Sequence, residues 1–102
     1  MYTLRIYTPQ SFEWDPAKRE RNLHKHGIDF ARAVRIFDGL VLERADRRRD
    51  YGENRLVALG EVEGLVLAVV FTTREAMLRI ISARKANRNE KAAYREVRPS
   101  EA

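Results

Sequence analysis

Seven consecutive apolar residues, Leu65 to Phe71, do most to restrict how this chain folds. The run is far too short to cross a membrane as a helix, and its Val and Phe content suits an extended strand. A strand apolar at every position has no face to offer water, so it belongs in the middle of a sheet covered on both sides. Leu56–Val62 precedes it, and Glu63–Gly64 between the two is a two-residue hairpin signal. After a turn over residues 73–76 the chain re-enters the sheet with Met77, Leu78, Ile80 and Ile81, which predicts a further interior strand in an antiparallel sheet.

That third strand carries two arginines among its core residues. Strict alternation puts Arg79 on the face of Met77 and Ile81, and Arg84 on the opposite face with Ile80 and Ser82. A buried guanidinium without a counter-charge is costly. Either Arg79 and Arg84 pair with internal carboxylates such as Glu61 or Glu75, or they emerge into a groove that binds an anion.

The flanking segments read as helices and shorter strands. Residues 2–7 alternate like a strand that Pro9 would stop, and Phe12–Trp14 is a second short one. Asp15 and Pro16 are an N-cap and first-turn proline for a polar surface helix to about His26, with Gly27 in the left-handed position and Ile28 closing back on Leu23. Asp29 caps a second helix with Phe30, Ala33, Val34 and Phe37 inward and Arg32 and Arg35 outward, ended by Gly39. Leu40–Glu43 reads as an edge strand, and residues 44–54 as a polar loop. The charge run Asp46-Arg47-Arg48-Arg49-Asp50 within that loop suits either a solvated segment or a phosphate contact. Asn87 with Glu90 forms a capping box that opens a last helix carrying Ala93, Tyr94 and Val97. Helices segregate from hairpin-linked strands, which is an α+β layout. The expected organisation is an N-terminal extension over residues 1–11 with a strand-like pattern, one domain over 12–97 and a flexible tail over 98–102.

Charge narrows the partners. Lysine and arginine number 20 against 15 acidic residues, for a net charge of +5, and 16 of the 20 cations are arginine. Such a surplus points to polyanions, and the guanidinium fork matches paired phosphate oxygens. Cysteine is absent, which removes disulfides, thiolate metal sites and cysteine nucleophiles. The first ten residues lack the apolar segment of a secretion signal, and no run reaches membrane-spanning length, so the cytoplasm is the expected compartment.

For chemistry the chain offers His24 and His26 around Lys25 at the end of the first helix. Side chains two apart on a helix diverge, which argues against a metal pair. Cations there complement the helix dipole, and a histidine is equally the natural proton shuttle. The serine-nucleophile, phosphate-loop and zinc-protease motifs are all missing, and no cofactor is expected. Cations, a histidine pair and a few tyrosines suit RNA cleavage, where the substrate brings its own 2′-hydroxyl nucleophile.

Several blocks together resemble the BrnT toxin family. They are Phe12-Glu13-Trp14-Asp15, Asn22 with Lys25-His26-Gly27-Ile28-Asp29-Phe30 and Ala33, Phe37-Asp38, Asp50-Tyr51-Gly52-Glu53 with Arg55, Leu59-Gly60, and Arg79 to Ala86 with Glu90 and Tyr94. The similarity spans roughly residues 12–95 and leaves out 1–11. It implies a RelE-like fold, a ribonuclease that arrests translation, and a BrnA-like ribbon-helix-helix antitoxin that neutralises the toxin and binds promoter DNA. It implies an assembly of two toxins and two antitoxins. Site residues carried over are Lys25 and His26 for proton transfer, Arg79 and Arg84 for phosphate stabilisation, and Arg55, Lys85 and Tyr94 for RNA contact. Tyr94 and Trp14 also have the character of core residues. Arg47–Arg49 replace the acidic loop expected before the Arg55 strand. The competing reading is a basic binding module that grips nucleic acid or a protein without cleaving anything, in which His26 has no role.

Overall fold

Six strands lie in one sheet, ordered β1-β3-β4-β5-β6-β2, in a computed structural model that describes residues 1–8, 11–48 and 52–97. The strands are β1 (Thr3–Ile6), β2 (Ser11–Trp14), β3 (Leu40–Ala45), β4 (Leu56–Val62), β5 (Leu65–Arg74) and β6 (Met77–Lys85). The helices are α1 (Pro16–His26), α2 (Phe30–Ala33), which runs on into a 3₁₀ turn at Val34–Asp38, and α3 (Arg88–Val97). The fold is α+β, in the expected chain order. Residues 98–102, and residues 49–51 of the charged loop, fall outside the described part.

The local signals act as their chemistry requires. Asp15 accepts from the Ala17 N–H, and Gly27 takes φ 72° while its N–H reaches the Leu23 carbonyl. This is the single-bond left-handed cap, and the apolar closure onto Leu23 is not made: Leu23 is exposed and Ile28 is buried. Glu63 and Gly64 both have positive φ, 52° and 82°, the combination a twisted two-residue hairpin needs. Asn87 and Glu90 cap each other reciprocally, each side chain taking the other's N–H at 2.8 Å.

Three expectations change. Leu40–Glu43 is not an edge, because β1 pairs along it antiparallel, from Thr3 opposite Glu43 to Ile6 opposite Leu40. The strand β6 is interior as expected, but its second neighbour, β2, runs parallel to it. The second helix keeps α geometry only to Ala33 and then tightens. Tightening turns Ile36 inward, 1% exposed, and leaves Val34 half-buried. Gly60 is what admits it, since a Cβ there would lie 2.5 Å from the Ile36 Cβ.

The sheet separates two cores. Residues from α2, the 3₁₀ turn and one sheet face form the first, including Phe30, Ile36, Phe37, Val41, Val69, Phe71 and Ile80. The other face gathers Leu42, Val57, Leu59, Ala68 and Val70 with Ala86 and Tyr94 against α3. Six flat strands would hold β1 and β2 about 24 Å apart, whereas the five residues from Ile6 to Ser11 reach at most about 18 Å. The sheet must therefore curl, and its two margins meet on one ring: Phe37 packs against Tyr7, just after β1, at 5.4 Å and against Phe12 of β2 at 5.9 Å.

A bulge in β6 re-aims the arginines. Val70 lies opposite Ser82 but Phe71 lies opposite Ile80, so Ile81 is the extra residue. Leu78, Ile80 and Ala83 consequently all reach the first core. Arg79, opposite Thr72, and Arg84, opposite Ala68, end on the same face of the sheet, not on opposite ones. The carboxylates beside them are Glu13 and Glu90, in place of the Glu61 or Glu75 suggested by the sequence.

Candidate active site

Where β2 ends at Trp14, the upper half of β6 loses its neighbouring strand, and α1 takes that place. Asn22 makes the junction. Its carboxamide oxygen accepts the Ala83 N–H at 3.0 Å, and its nitrogen donates to the carbonyls of Ala83 at 2.8 Å and Ile28 at 2.9 Å. A side chain 6% exposed thus satisfies backbone groups that a strand would otherwise satisfy, and it pins α1 against the bulge.

Beside that clamp opens a groove of about 540 Å³ lined by Lys18, Arg21, Asn22, Lys25 and His26 from α1 and by Ile81 and Ser82 from β6. Among the described residues no carboxylate lines it. Lys25 and His26, the proton-transfer candidates, are therefore brought together against β6 with two further cations. Lys18 and Arg21 were missed by the sequence reading. Their spacing held the signal, because positions 18, 21, 22, 25 and 26 recur at helical intervals and share one side of α1.

The orientation of α1 is held at its outer side as well. Arg19 makes a two-pronged contact with Asp29, at 2.8 and 2.9 Å, and lies over the Trp14 ring at 5.9 Å. Hydrogen bonding from Arg19 holds the Asp29 carboxyl down at about 2. Trp14 itself packs edge-on to Phe30, the core-anchor role its sequence position suggested.

The arginine candidates sit on the second sheet face, flanking the bulge. Arg79 is half-buried and pairs with Glu13 at 3.2 Å across the β6–β2 ladder. Arg84 grips Glu90 with both guanidinium nitrogens, at 2.7 and 3.0 Å, and Arg44 approaches the same carboxylate at 3.6 Å. These contacts hold the Glu90 carboxyl below its ordinary value despite burial, and the Arg84 guanidinium above its own. They anchor α3 to the sheet.

The remaining candidates are spread more widely. Arg55 stands just before β4 with its Nε 3.0 Å from Glu53, lining a separate hollow that includes Asp46, Arg47 and Thr73. Lys85 is exposed at the end of β6. Tyr94 is 7% exposed in the second core, so its ring is not presented as a surface for stacking. Among the described residues no three His, Asp or Glu side chains cluster as a metal site would require, and no helix is long and apolar enough to cross a membrane.

Chemically, the groove combines a histidine with fixed positive charge and a backbone bulge that leaves room for a ligand. Such a site suits a polyanion and a proton transfer. No protein with a curated description matches the chain. A family model described as the ribonuclease toxin BrnT of type II toxin-antitoxin systems matches residues 14–90, which takes in α1, the bulged strand and the Glu90 clasp. By that match the chain belongs to the BrnT family of ribonuclease toxins of type II toxin-antitoxin systems.

Proposed function

We propose that this chain is a RelE-like, metal-independent endoribonuclease that arrests translation in the cytoplasm and is neutralised by a BrnA-like ribbon-helix-helix antitoxin. The observation that carries the reading is the groove in which Lys25 and His26 face β6 beside further cations and no lining carboxylate. His26 or Lys25 takes the proton of a 2′-hydroxyl, and the 2′-oxygen attacks the adjacent phosphorus. The 5′-oxygen departs and is protonated by the other group, leaving a 2′,3′-cyclic phosphate and a 5′-hydroxyl. Fixed cations stabilise the extra charge on the phosphorane without reorganising. Arg79 contributes from the flank of the bulge, and Arg84, already matched by Glu90, contributes less. Arg55 and Lys85 act as outlying RNA contacts.

The test is incubation of the purified chain with RNA in excess chelator, followed by analysis of the end groups. Cleavage to cyclic phosphates, lost in both His26→Ala and Lys25→Ala, is the expected result. Activity abolished by chelator and restored by magnesium would refute the metal-free mechanism. RNA binding with no cleavage would favour the non-catalytic module. The partner is tested separately, by co-expression with a ribbon-helix-helix antitoxin and light scattering. Two toxins and two antitoxins are expected in one particle, with promoter DNA bound through the antitoxin.

A further inference from the structure

We infer that Lys18, Arg21 and Lys25 form a rail that holds the backbone of single-stranded RNA as it enters the groove, with His26 at the end of the rail. This rests on the ribonuclease reading and adds to it where the substrate runs and which strand form is accepted.

Most of the described arginines are committed to carboxylates, Arg19 to Asp29, Arg35 to Glu63, Arg79 to Glu13 and Arg84 to Glu90 among them. The three side chains of the rail have no ion pair among the described residues, yet they stand together on one wall of one groove. Like charges set side by side without contact ion pairs are unfavourable in the free protein, Glu20 on the adjoining face of α1 offsetting them only in part, and a polyanion relieves the repulsion.

Geometry decides the form of the polyanion. Residues 18 to 25 rise about 10 Å along the helix axis, enough to meet two or three successive phosphates of one strand. The cations line only the α1 wall, and the opposite wall is the bulged backbone at Ile81 and Ser82. A single row of cations follows one backbone, as in grooves for single strands, whereas duplex binders span two successive minor grooves. The chemistry agrees. Attack by a 2′-oxygen needs it in line with the departing 5′-oxygen, and stacked A-form helix holds it off that line.

The experiment measures binding apart from cleavage. A labelled single-stranded 2′-O-methyl oligonucleotide, which has no free 2′-hydroxyl, is titrated with the full chain over a range of salt concentrations. For single strands the logarithm of affinity falls with the logarithm of salt by about 0.7 per phosphate neutralised. The Lys18→Gln/Arg21→Gln variant is expected to reduce that slope by about 1.4, while a charge-matched Lys91→Gln/Arg95→Gln variant on α3 leaves it near the wild-type value. A hairpin of the same sequence is expected to bind more weakly to wild type.

Neither the Lys18 nor the Arg21 side chain makes a hydrogen bond or ion pair among the described residues, so an unchanged unfolding midpoint is expected of the variant. An unchanged slope, an equal loss in the α3 control, or stronger binding of the hairpin each overturns the rail. Variants that keep RNA binding but fail to bind the antitoxin would overturn it too, and would assign the row to the protein partner. In all these cases the cleavage assay of wild type against His26→Ala still reads independently, so failure of the rail and failure of the ribonuclease reading are distinguishable.

Discussion

Asn22→Ala should be among the most damaging single substitutions that leave charge untouched. The carboxamide makes three hydrogen bonds to backbone groups of Ala83 and Ile28, across up to 61 positions of sequence, at a site only 6% exposed. Truncation orphans one N–H and two carbonyls. A buried polar group left without a partner costs about 1–3 kcal/mol. The adjoining groove lets water reach part of the gap, so a total of roughly 3–5 kcal/mol is expected rather than the full sum. Against a typical stability of about 5–15 kcal/mol this is a large fraction.

Urea denaturation followed by circular dichroism measures the loss directly. With a slope of about 1–3 kcal/mol per molar, the midpoint should fall by more than about 1 M with the slope unchanged. Asn22→Asp sharpens the test. An aspartate can still accept the Ala83 N–H but has no hydrogen to offer the two carbonyls, and it places negative charge beside them. It should be as destabilising as alanine at neutral pH. A loss below about 0.5 kcal/mol for either variant would refute the clamp.

Acid titration should reveal the Glu90 clasp. The folded-state values of Glu90 and Asp29 lie below their ordinary 4.5 and 3.8, held down first by hydrogen bonds from Arg84 and Arg19, so their contributions are present above those ordinary values and are lost as pH falls through the lowered ones, about 2 for Asp29. Glu90→Gln should flatten that acid limb in chemical denaturation, while costing about 1–3 kcal/mol at neutral pH because Arg84 is only 32% exposed; an unchanged acid limb would count against the clasp. Gly60→Ala should cost about 1–3 kcal/mol by overpacking, and adding Ile36→Val should not relieve it, since the nearest atom is the Ile36 Cβ itself; rescue in the double variant would show the contact to be misassigned. Arg79→Ala should reduce cleavage on the order of 10²- to 10³-fold with stability changed by about 1 kcal/mol or less, its pair with Glu13 being one-third exposed; a few-fold effect on rate would remove it from the phosphate site.

Much of this molecule is encoded within reach of three or four residues. Asp15 and Pro16 start α1, Gly27 stops it, Glu63–Gly64 turns the hairpin and Asn87–Glu90 opens α3, because each device closes a hydrogen bond between near neighbours. The uninterrupted apolar run at residues 65–71 was enough to put β5 inside the sheet, since burial on both faces depends on composition alone. Lys25 and His26 were legible as candidates from histidine's proton chemistry at the end of α1 and from the resemblance to the BrnT family.

Partners distant in sequence were another matter. That β1 covers β3, that β2 joins β6 in parallel, and that Tyr7 and Phe12 meet on Phe37 all follow from the curl of the sheet, which no window of the chain displays. The bulge at Ile81 illustrates the difference most directly. Alternation sent Arg79 and Arg84 to opposite faces; one extra residue at Ile81, where β2 has ended and Asn22 takes over the free backbone, brought Arg84 to the face of Arg79 and against Glu90, while the parallel pairing of β2 set Glu13 beside Arg79. The sequence determined which groups were available for the site, through local hydrogen bonding and burial. Tertiary packing decided which of them stand together, because the bonds that hold α1 to β6 close over 61 residues and exist only once the sheet has formed.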